Sequence, residues 1–371
     1  MRVCLVSHRL GGFDGVSVAA AAWVRGFRAL GWTVTRAAGF FADHEPDDVV
    51  VRGLWADRPG AAPPPVDHAT ISRLCRTHDL LVLDNAGSLW SAPLASRALE
   101  HHALAAGVPT VVRHHDPAWQ GVVLRPVEGD VVPLHHPRHL HVVINRYTES
   151  EFAARWPELL DAKALVVRHP EVDVDGLATG DRDACRTALG VDPDEVLLAH
   201  PARVDAANKN IPGAVSFARA LAAVLPGRVR YWLTDPQPGE PGPVADALAQ
   251  APGLIRGWVP RPADLYAAAD VVLLPSTWEG WGLPVVEAAA AGKPVVAGPY
   301  PVLAEIRALG VTVWDPEDVG GVAALLSDPD AHRAVLAANR AAVVASLSQA
   351  DLPAALADLA ERARELTGTV Q

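Results

Sequence analysis

Short apolar runs alternate with Ala-rich helical patterns along the first half of the chain. The run from Val3 to Ser7 leads into a glycine loop, and an Ala-rich stretch from Val18 to Leu30 follows it. Apolar runs return at Trp32 to Arg36, Leu80 to Leu83 and Val108 to Val112. Strands that alternate with helices form parallel sheets covered by helices on both faces. This half therefore predicts a doubly wound α/β domain.

The same pattern begins again in the second half. An apolar run from Val196 to Ala199 is followed by a polar loop and a helical pattern from Pro212 to Leu225. Further strands are predicted at Val229 to Leu233, Leu254 to Ile255, Val271 to Leu274 and Val295 to Ala297. The segment Glu171 to Arg182 is acidic and lacks an apolar period, so it is the predicted linker.

These patterns predict two Rossmann-like domains, residues 1–172 and residues 173–350. The chain after about Ala331 consists almost entirely of helix formers. We expect the last part, residues 351–371, to be a helix that packs back on the first domain.

Composition narrows the possible functions. The 371 residues are 50% hydrophobic and 20% charged, which is enough apolar material for two cores. The net charge of -11 argues against a nucleic-acid partner, because such proteins need a basic face.

Cys4, Cys75 and Cys185 are too far apart to suggest a disulfide framework or a zinc cluster. We see neither a signal peptide nor an integral membrane segment, and we expect a cytoplasmic protein, monomeric or homodimeric.

The most informative stretch runs from Val271 to Ala288, where an apolar strand leads into a glycine loop and a helix from about Pro284 to Ala291. Proline suits the first helical position, and Gly292 suits the position just past the end. Free N–H groups at the start of such a helix form an anion site for a diphosphate or a polar sugar. Glu279 precedes the helix, and Glu287 is expected in its first turn. Both carboxylates would lie at the carboxyl end of the strand, where ligands bind in open α/β sheets.

Two glutamates separated by seven residues, around Gly280-Trp281-Gly282-Leu283-Pro284, resemble the signature of the retaining glycosyltransferase family 4. The resemblance implies the GT-B fold, in which two Rossmann-like doubly wound domains face a cleft. Arg203 and Lys209 resemble the family residues that grip the donor diphosphate, and Gly257-Trp258-Val259 resembles its nucleobase-contacting turn. The donor-binding residues implied by the family are Gly15, Arg203, Lys209, Gly257, Val259, Glu279, Gly280, Trp281, Gly282, Leu283 and Glu287.

In the first half, Asp14-Gly15-Val16-Ser17 resembles the family's glycine loop near donor phosphate and acceptor. His115 resembles the histidine that lies against the transferred sugar, and the neighbouring His114 is a rival for that role. The catalytic set implied by the family is His115, Arg203, Lys209 and Glu279. The expected acceptor contacts are Gly12, Asp14, Asn85, His114 and Trp119, with the segment from Pro117 to about Pro133 around the last of them.

Structural explanations compete with several of these assignments. Arg203 and Lys209 could be ordinary surface charges, and the glycines could merely shape a turn. Tryptophans near the motifs could pack in the core instead of stacking on sugars. Four short Asp-x-Asp patterns, beginning at Asp173, Asp181, Asp192 and Asp328, are better explained by helix capping and solvation than by metal binding. The histidine pairs lack the acidic or Cys partners of a metal site, so we expect no metal.

The resulting prediction is a retaining glycosyltransferase that moves a hexose from a nucleoside-diphosphate sugar to a hydroxyl of a small soluble acceptor. The candidate acceptors are a sugar, a glycerate-like acid and a natural product. The donor is a substrate, and no cofactor is expected. The resemblance implies a metal-independent front-face mechanism, in which the leaving phosphate helps to take the acceptor proton. The alternatives are a phosphorylase, a nucleotide-sugar epimerase, and a catalytically silent nucleotide-sugar-binding partner subunit.

Overall fold

The structure is a computed structural model that describes residues 1–55, 64–88, 91–121, 133–204, 208–225, 229–234 and 242–368. The chain divides into two compact units. The first unit contains Met1–Glu171 and Gln349–Gln371, and the second contains Val172–Ser348.

The first unit is built on a seven-stranded parallel sheet with the order β3-β2-β1-β4-β5-β6-β7. Its strands are β1 (Arg2–Leu10), β2 (Thr33–Phe41), β3 (Val49–Val50), β4 (Leu80–Asp84), β5 (Thr110–His114), β6 (Leu140–Val143) and β7 (Leu165–Val167). Its first helices are α1 (Gly15–Ala29), α2 (His68–Thr77), α3 (Pro93–Ala106), α4 (Arg146–Arg155) and α5 (Glu158–Asp161). The strand order reverses between β1 and β4, the place where ligands bind in doubly wound sheets.

Both faces of this sheet are buried, and β1 shows why it contains a continuous apolar run at residues 3–6. Val3 and Leu5 point into one core with Trp23 of α1. Cys4 and Val6 point into the opposite core with the apolar residues of α2 and α3. Alternate side chains of a strand face opposite sides, so a strand covered on both sides is apolar at successive positions wherever its side chains enter the two cores.

The second unit has a five-stranded parallel sheet with the order β10-β9-β8-β11-β12. Its strands are β8 (Val196–His200), β9 (Val229–Thr234), β10 (Ile255–Gly257), β11 (Val271–Leu274) and β12 (Val295–Ala297). Its helices are α6 (Val174–Leu177), α7 (Arg182–Leu189), α8 (Ile211–Val224), α9 (Gly242–Leu248), α10 (Pro262–Ala268), α11 (Leu283–Ala290), α12 (Leu303–Ala308), α13 (Val319–Ser327) and α14 (Pro329–Leu347). Here the strand order reverses between β8 and β11.

The last helix, α15 (Leu352–Gly368), belongs to the first unit and packs against α1. A Cβ atom on Gly26 of α1 would lie only 2.7 Å from Cδ1 of Leu356, so glycine permits this close approach. The two ends of the second unit also meet each other. The N–H of Val172 donates to the carbonyl of Leu347 at 2.7 Å, and Val172 pairs with Ser348 in a parallel bridge.

Several local predictions need correction. The expected linker from Glu171 to Arg182 contains the short helix α6. Its two buried residues, Val174 and Leu177, are too few to show a helical period in the sequence. Strands β6 and β7 were not predicted. Helix α11 begins at Leu283, so Glu287 lies beyond the first turn instead of within it.

Three of the four Asp-x-Asp patterns begin with a residue that caps a helix, as predicted. Asp173, Asp181 and Asp328 each accept a hydrogen bond from the backbone N–H three residues later, at 2.9 to 3.1 Å. Within the described ranges, no three His, Cys, Asp or Glu side chains form a group that could hold a metal ion. Over the same ranges, no helix has both the length and the apolar character needed to cross a bilayer.

Candidate functional site

In the second unit, two asparagines join the loop after β8 to the loop after β11. The backbone carbonyl of Asn208 accepts from the N–H of Thr277 at 2.9 Å, and its Oδ1 accepts from the N–H of Trp278 at 3.1 Å. Asn210 caps α8 and donates its Nδ2 to the carbonyl of Pro275 at 3.2 Å. The loops follow β8 and β11, the neighbouring strands between which the strand order reverses, and we call this place the switch point. The bonds between the two loops therefore fix the position of the side chains that lie between them. Sequence reasoning assigned no role to either asparagine.

The joined loops bring together two of the predicted site residues. Nζ of Lys209 lies 2.6 Å from Oε1 of Glu279, and the two side chains are 14% and 13% exposed. The side chain of Arg203, just after β8, is exposed. The two loops at the switch point therefore carry the Lys209 cation, which is paired with the Glu279 carboxylate, and the exposed cation of Arg203.

Glu287 makes a separate hydrogen bond one turn inside α11. The hydroxyl of Tyr266, from α10, donates to Oε2 of Glu287 at 2.6 Å. Burial raises the pKa of Glu287, and the bond from Tyr266 offsets only part of that increase. Tyr266 is itself 2% exposed. Nothing in the sequence indicated its contact with Glu287, because the two residues are 21 positions apart on different helices.

The glycine loop before α11 is tightly packed. Gly282 has φ of 94° and precedes the first helical residue, and a Cβ atom there would overlap the hydroxyl of Tyr300. Pro284 has no N–H, and the N–H of Val285 donates to the carbonyl of Gly282 at 2.9 Å. The start of α11 therefore offers fewer free amides to an anion than the sequence suggested.

The remaining predicted donor residues of this unit lie around the same edge. Trp281 is 3% exposed, which favours packing for its ring. The half-buried positions are Gly257, Val259, Gly280 and Leu283.

In the first unit, the glycine loop after β1 is shaped by a helix cap. Asp14 accepts from the N–H of Ser17 at 3.2 Å and from its hydroxyl at 2.8 Å, and Nε of Arg9 lies 3.1 Å away. Burial raises the pKa of Asp14, but Ser17 and Arg9 outweigh it and hold the pKa below its ordinary value. Gly15 is the first residue of α1, and Gly12 lies beside the carboxylate of Asp14. Asp14 thus has a structural use that competes with the predicted acceptor contact.

The two candidate histidines at the end of β5 have different surroundings. His114 is fully buried, with Nδ1 at 2.5 Å from the hydroxyl of Ser88 and Nε2 at 3.0 Å from Nδ1 of His141. Burial is the main cause of a pKa well below the ordinary histidine value. His115 is 6% exposed, and its Nε2 lies 2.7 Å from Oδ1 of Asp84. His114 has both ring nitrogens engaged inside the unit, so His115 is the better candidate for ligand contact.

The other predicted acceptor contacts separate into two groups. Asn85, with φ of 60°, bonds through Nδ2 to Asp116 at 2.7 Å and accepts from the N–H of His115 at 3.2 Å. Trp119 donates its Nε1 to Glu151 at 2.7 Å, and the guanidinium of Arg155 lies 4.1 Å from its ring centroid. The ring of Trp119 thus packs within its own unit. Residues 122–132 of the predicted acceptor segment lie outside the described residues.

The comparison with known families agrees with this geometry. Residues 254–340, which include β10, β11 and α11, match the family Glycosyl transferases group 1. The similarity to this family therefore covers the part of the chain that carries both glutamates of the motif. The family 4 resemblance predicted from the glutamate motif is confirmed.

Curated relatives give the same result over part of the chain. A D-inositol 3-phosphate glycosyltransferase of Segniliparus rotundus is 33% identical over 193 residues, which are 47% of this chain and 42% of that protein. The protein of that name from Mycobacterium sp. (strain KMS) is 36% identical over 173 residues, 43% of this chain and 38% of that protein. The chain therefore matches less than half the length of these relatives.

Solved structures support the GT-B fold over nearly the whole chain. HepE of Anabaena, solved with UDP and glucose, has a TM-score of 0.71 at 18% identity and covers 96% of this chain and 98% of that one. Sucrose-phosphate synthase of Thermosynechococcus elongatus has a TM-score of 0.68 at 16% identity, with 97% and 98% covered. The prediction of two Rossmann-like domains of the GT-B class is confirmed.

Proposed function

We propose that the chain is a retaining glycosyltransferase that transfers a hexose from a nucleoside-diphosphate sugar to a hydroxyl of a small acceptor. The observation that carries this proposal is the pairing of Lys209 with Glu279 on the joined loops at the switch point. A cation held beside the glycine loop is suited to the diphosphate, and the carboxylate is suited to sugar hydroxyls.

The proposed chemistry needs a group that stabilises the departing diphosphate. As the bond between the sugar and the phosphate breaks, negative charge grows on the phosphate oxygens. Arg203 and Lys209 would stabilise that charge, and an interaction of this kind in a preorganised site is worth about 3 to 4 kcal/mol. These two cations allow a mechanism without a metal ion or a bound cofactor, and the leaving phosphate would help to take the acceptor proton.

Glu287 would bind the ribose of the donor. A carboxylate can accept from two neighbouring hydroxyls at once. One of its oxygens accepts from the hydroxyl of Tyr266, which helps to orient the side chain. We assign His115 to a hydroxyl of the transferred sugar, and the two loops that contain Gly12 and Asn85 to the acceptor.

A thermal-shift screen against UDP, GDP, ADP and dTDP, with and without EDTA, tests the donor site, because a ligand that binds only the native state raises the unfolding midpoint. We expect one nucleotide to raise it, with no effect of EDTA. The shift should vanish in Lys209→Met and persist in Arg219→Gln, a control that alters an exposed bond to Gln250 in the same unit. The absence of a shift with all four nucleotides would contradict the proposal.

A silent nucleotide-sugar binder, a phosphorylase and an epimerase are the competing functions. Product analysis with hexose derivatives of the nucleoside diphosphate that the screen identifies separates them. A transferase requires a second hydroxylated substrate and releases the nucleoside diphosphate with the anomeric configuration retained in the new glycoside. An epimerase needs no acceptor, and a phosphorylase needs inorganic phosphate. We propose a sugar, a glycerate-like acid or a natural product as the acceptor.

A further inference from the structure

A buried group of charges lies directly behind His115 in the first unit. Asp84, the last residue of β4, has no exposed surface, and its Oδ1 lies 2.7 Å from Nε2 of His115. Its second oxygen, Oδ2, lies 3.7 Å from Nη1 of Arg113, which is also fully buried. Nη2 of Arg113 lies 3.9 Å from Oε2 of Glu171, and Nε of Arg168 donates to Oε1 of Glu171 at 2.7 Å. We refer to these five side chains as the β4–β5 charge cluster.

The charges of this cluster balance when the imidazole is neutral. Asp84 and Glu171 carry two negative charges, and Arg113 and Arg168 carry two positive charges. Burial raises the pKa of Asp84, but the charge of Arg113 and the hydrogen bond from His115 act in the opposite direction and hold the pKa below its ordinary value. Asp84 is therefore a carboxylate. The four side chains other than His115 therefore carry no net charge.

The distances also decide which atom makes the hydrogen bond. The nitrogen-oxygen separations around Arg113 exceed hydrogen-bonding length, so Arg113 provides charge to Asp84 and not a directed bond. A carboxylate oxygen can only accept, so the imidazole must carry its proton on Nε2 to make the contact at 2.7 Å. A neutral imidazole with Nε2–H has a lone pair on Nδ1.

We propose that Asp84 is a positioning residue, held ionised by Arg113, that fixes His115 as the neutral Nε2–H form so that Nδ1 accepts a hydrogen bond from a hydroxyl of the bound sugar. This inference rests on the proposed function for the identity of that hydroxyl. The state of His115 itself does not depend on any ligand.

This assignment gives His115 the chemistry of a hydrogen-bond acceptor. Nδ1 without a proton selects a hydroxyl that can donate and disfavours a sugar that has an acceptor group at that position. A site with a fixed acceptor rejects analogues that lack the hydroxyl, because the buried acceptor is then left without a partner. The specificity of this site would therefore extend beyond the nucleotide to one sugar hydroxyl.

NMR of the full chain labelled with 15N-histidine tests the state of His115 without substrate. The signal is assigned as the one lost in His115→Gln. We expect a protonated Nε2 and an unprotonated Nδ1 near neutral pH, with the Nε2–H proton protected from exchange in the wild type and unprotected in Asp84→Asn. A proton on Nδ1 in the wild type would overturn the proposal, and so would equal protection in the wild type and Asp84→Asn. The wild-type spectrum decides even if the variant fails to fold.

Glu171→Gln is the matched control, because it alters the opposite side of Arg113 and does not touch His115. Its His115 signal should keep the wild-type tautomer and the wild-type protection of Nε2–H.

A double-mutant cycle on transfer activity tests whether Asp84 acts through His115. Loss of one oriented hydrogen bond should lower kcat roughly three- to tenfold in Asp84→Asn, with the nucleotide thermal shift unchanged. In the His115→Gln background the same substitution should have no further effect. Equal losses in both backgrounds would show a merely structural role and overturn the proposal. An inactive wild type with the expected NMR spectrum would instead contradict the transferase function.

Discussion

The two units of the chain place charged residues at the same part of the sheet and surround them differently. In the first unit, Asp84 and Arg113 have no exposed surface and compensate each other inside the fold. In the second unit, Lys209 and Glu279 form a pair that keeps some solvent access, and Arg203 is exposed. Buried charges are costly when they lose a partner, whereas accessible charges remain free to exchange one partner for a ligand. The first arrangement therefore maintains structure and orientation, and the second is suited to binding an anion.

Removal of Arg113 should give the largest effect on stability. Arg113→Met leaves Asp84 and Glu171 buried without their shared cation, and loss of one partner of a buried ion pair typically costs about 3 to 5 kcal/mol. Urea unfolding measures this change in the free energy of unfolding. The triple variant with Asp84→Asn and Glu171→Gln removes the uncompensated charges and should recover much of the loss. A cost below about 1 kcal/mol for the single variant would show that the cluster is not electrostatically coupled.

Lys209→Met should have the opposite profile. We expect kcat to fall by about 10²- to 10³-fold, because a preorganised charge on the leaving diphosphate is lost. Since the pair with Glu279 is partly accessible, the free energy of unfolding should change by no more than about 1 kcal/mol. Steady-state kinetics and urea unfolding of the same preparation measure both quantities. A large loss of stability with normal kcat would reverse the comparison between the two units.

The sequence predicted the strand and helix around the second site well because their signals are local. Strand β11 was predicted at its observed residues, and α11 within one residue of its observed bounds, since a buried apolar run, Pro284 and Gly292 mark them. The Asp84 contact could not be predicted, because it joins the ends of two strands 31 positions apart. Strand β6 was not predicted because His141 interrupts its apolar run. In the structure that ring bonds to His114 and to the carbonyl of His136, which makes its burial possible.

The loop before α11 gives a prediction of intermediate size. Gly282→Ala places a side chain at φ of 94° and against the hydroxyl of Tyr300, and such backbone strain costs about 1 to 3 kcal/mol. The unfolding midpoint should fall, together with the nucleotide-induced shift. Adding Tyr300→Phe removes the obstructing oxygen and should restore part of the midpoint, but not the part due to φ. Full recovery in the double variant would show that the overlap alone was responsible.

The smallest expected effect concerns Glu287 and pH. Because its pKa is raised in the folded chain, the folded state holds this proton more tightly than the unfolded state does. Its contribution to stability is therefore complete below the ordinary glutamate pKa and is lost as the pH rises through the folded value. Glu287→Gln can keep the bond from Tyr266 without titrating, so its stability should vary less with pH over this range. Equal pH slopes of unfolding free energy in the two proteins would contradict the assigned shift.

The adjacency of Val172 and Ser348 has a consequence for biosynthesis. The second unit is an insertion in the sequence of the first, with its two ends bonded side by side. A ribosome synthesises residues 172–348 before α15. The apolar surface of α1 around Gly26 therefore stays uncovered until the whole second unit has been synthesised. The second unit is thus completed before the first, although the first begins earlier. During that interval the apolar residues of α1 that share a core with α15 lack this cover, and exposed apolar surface of this kind favours aggregation.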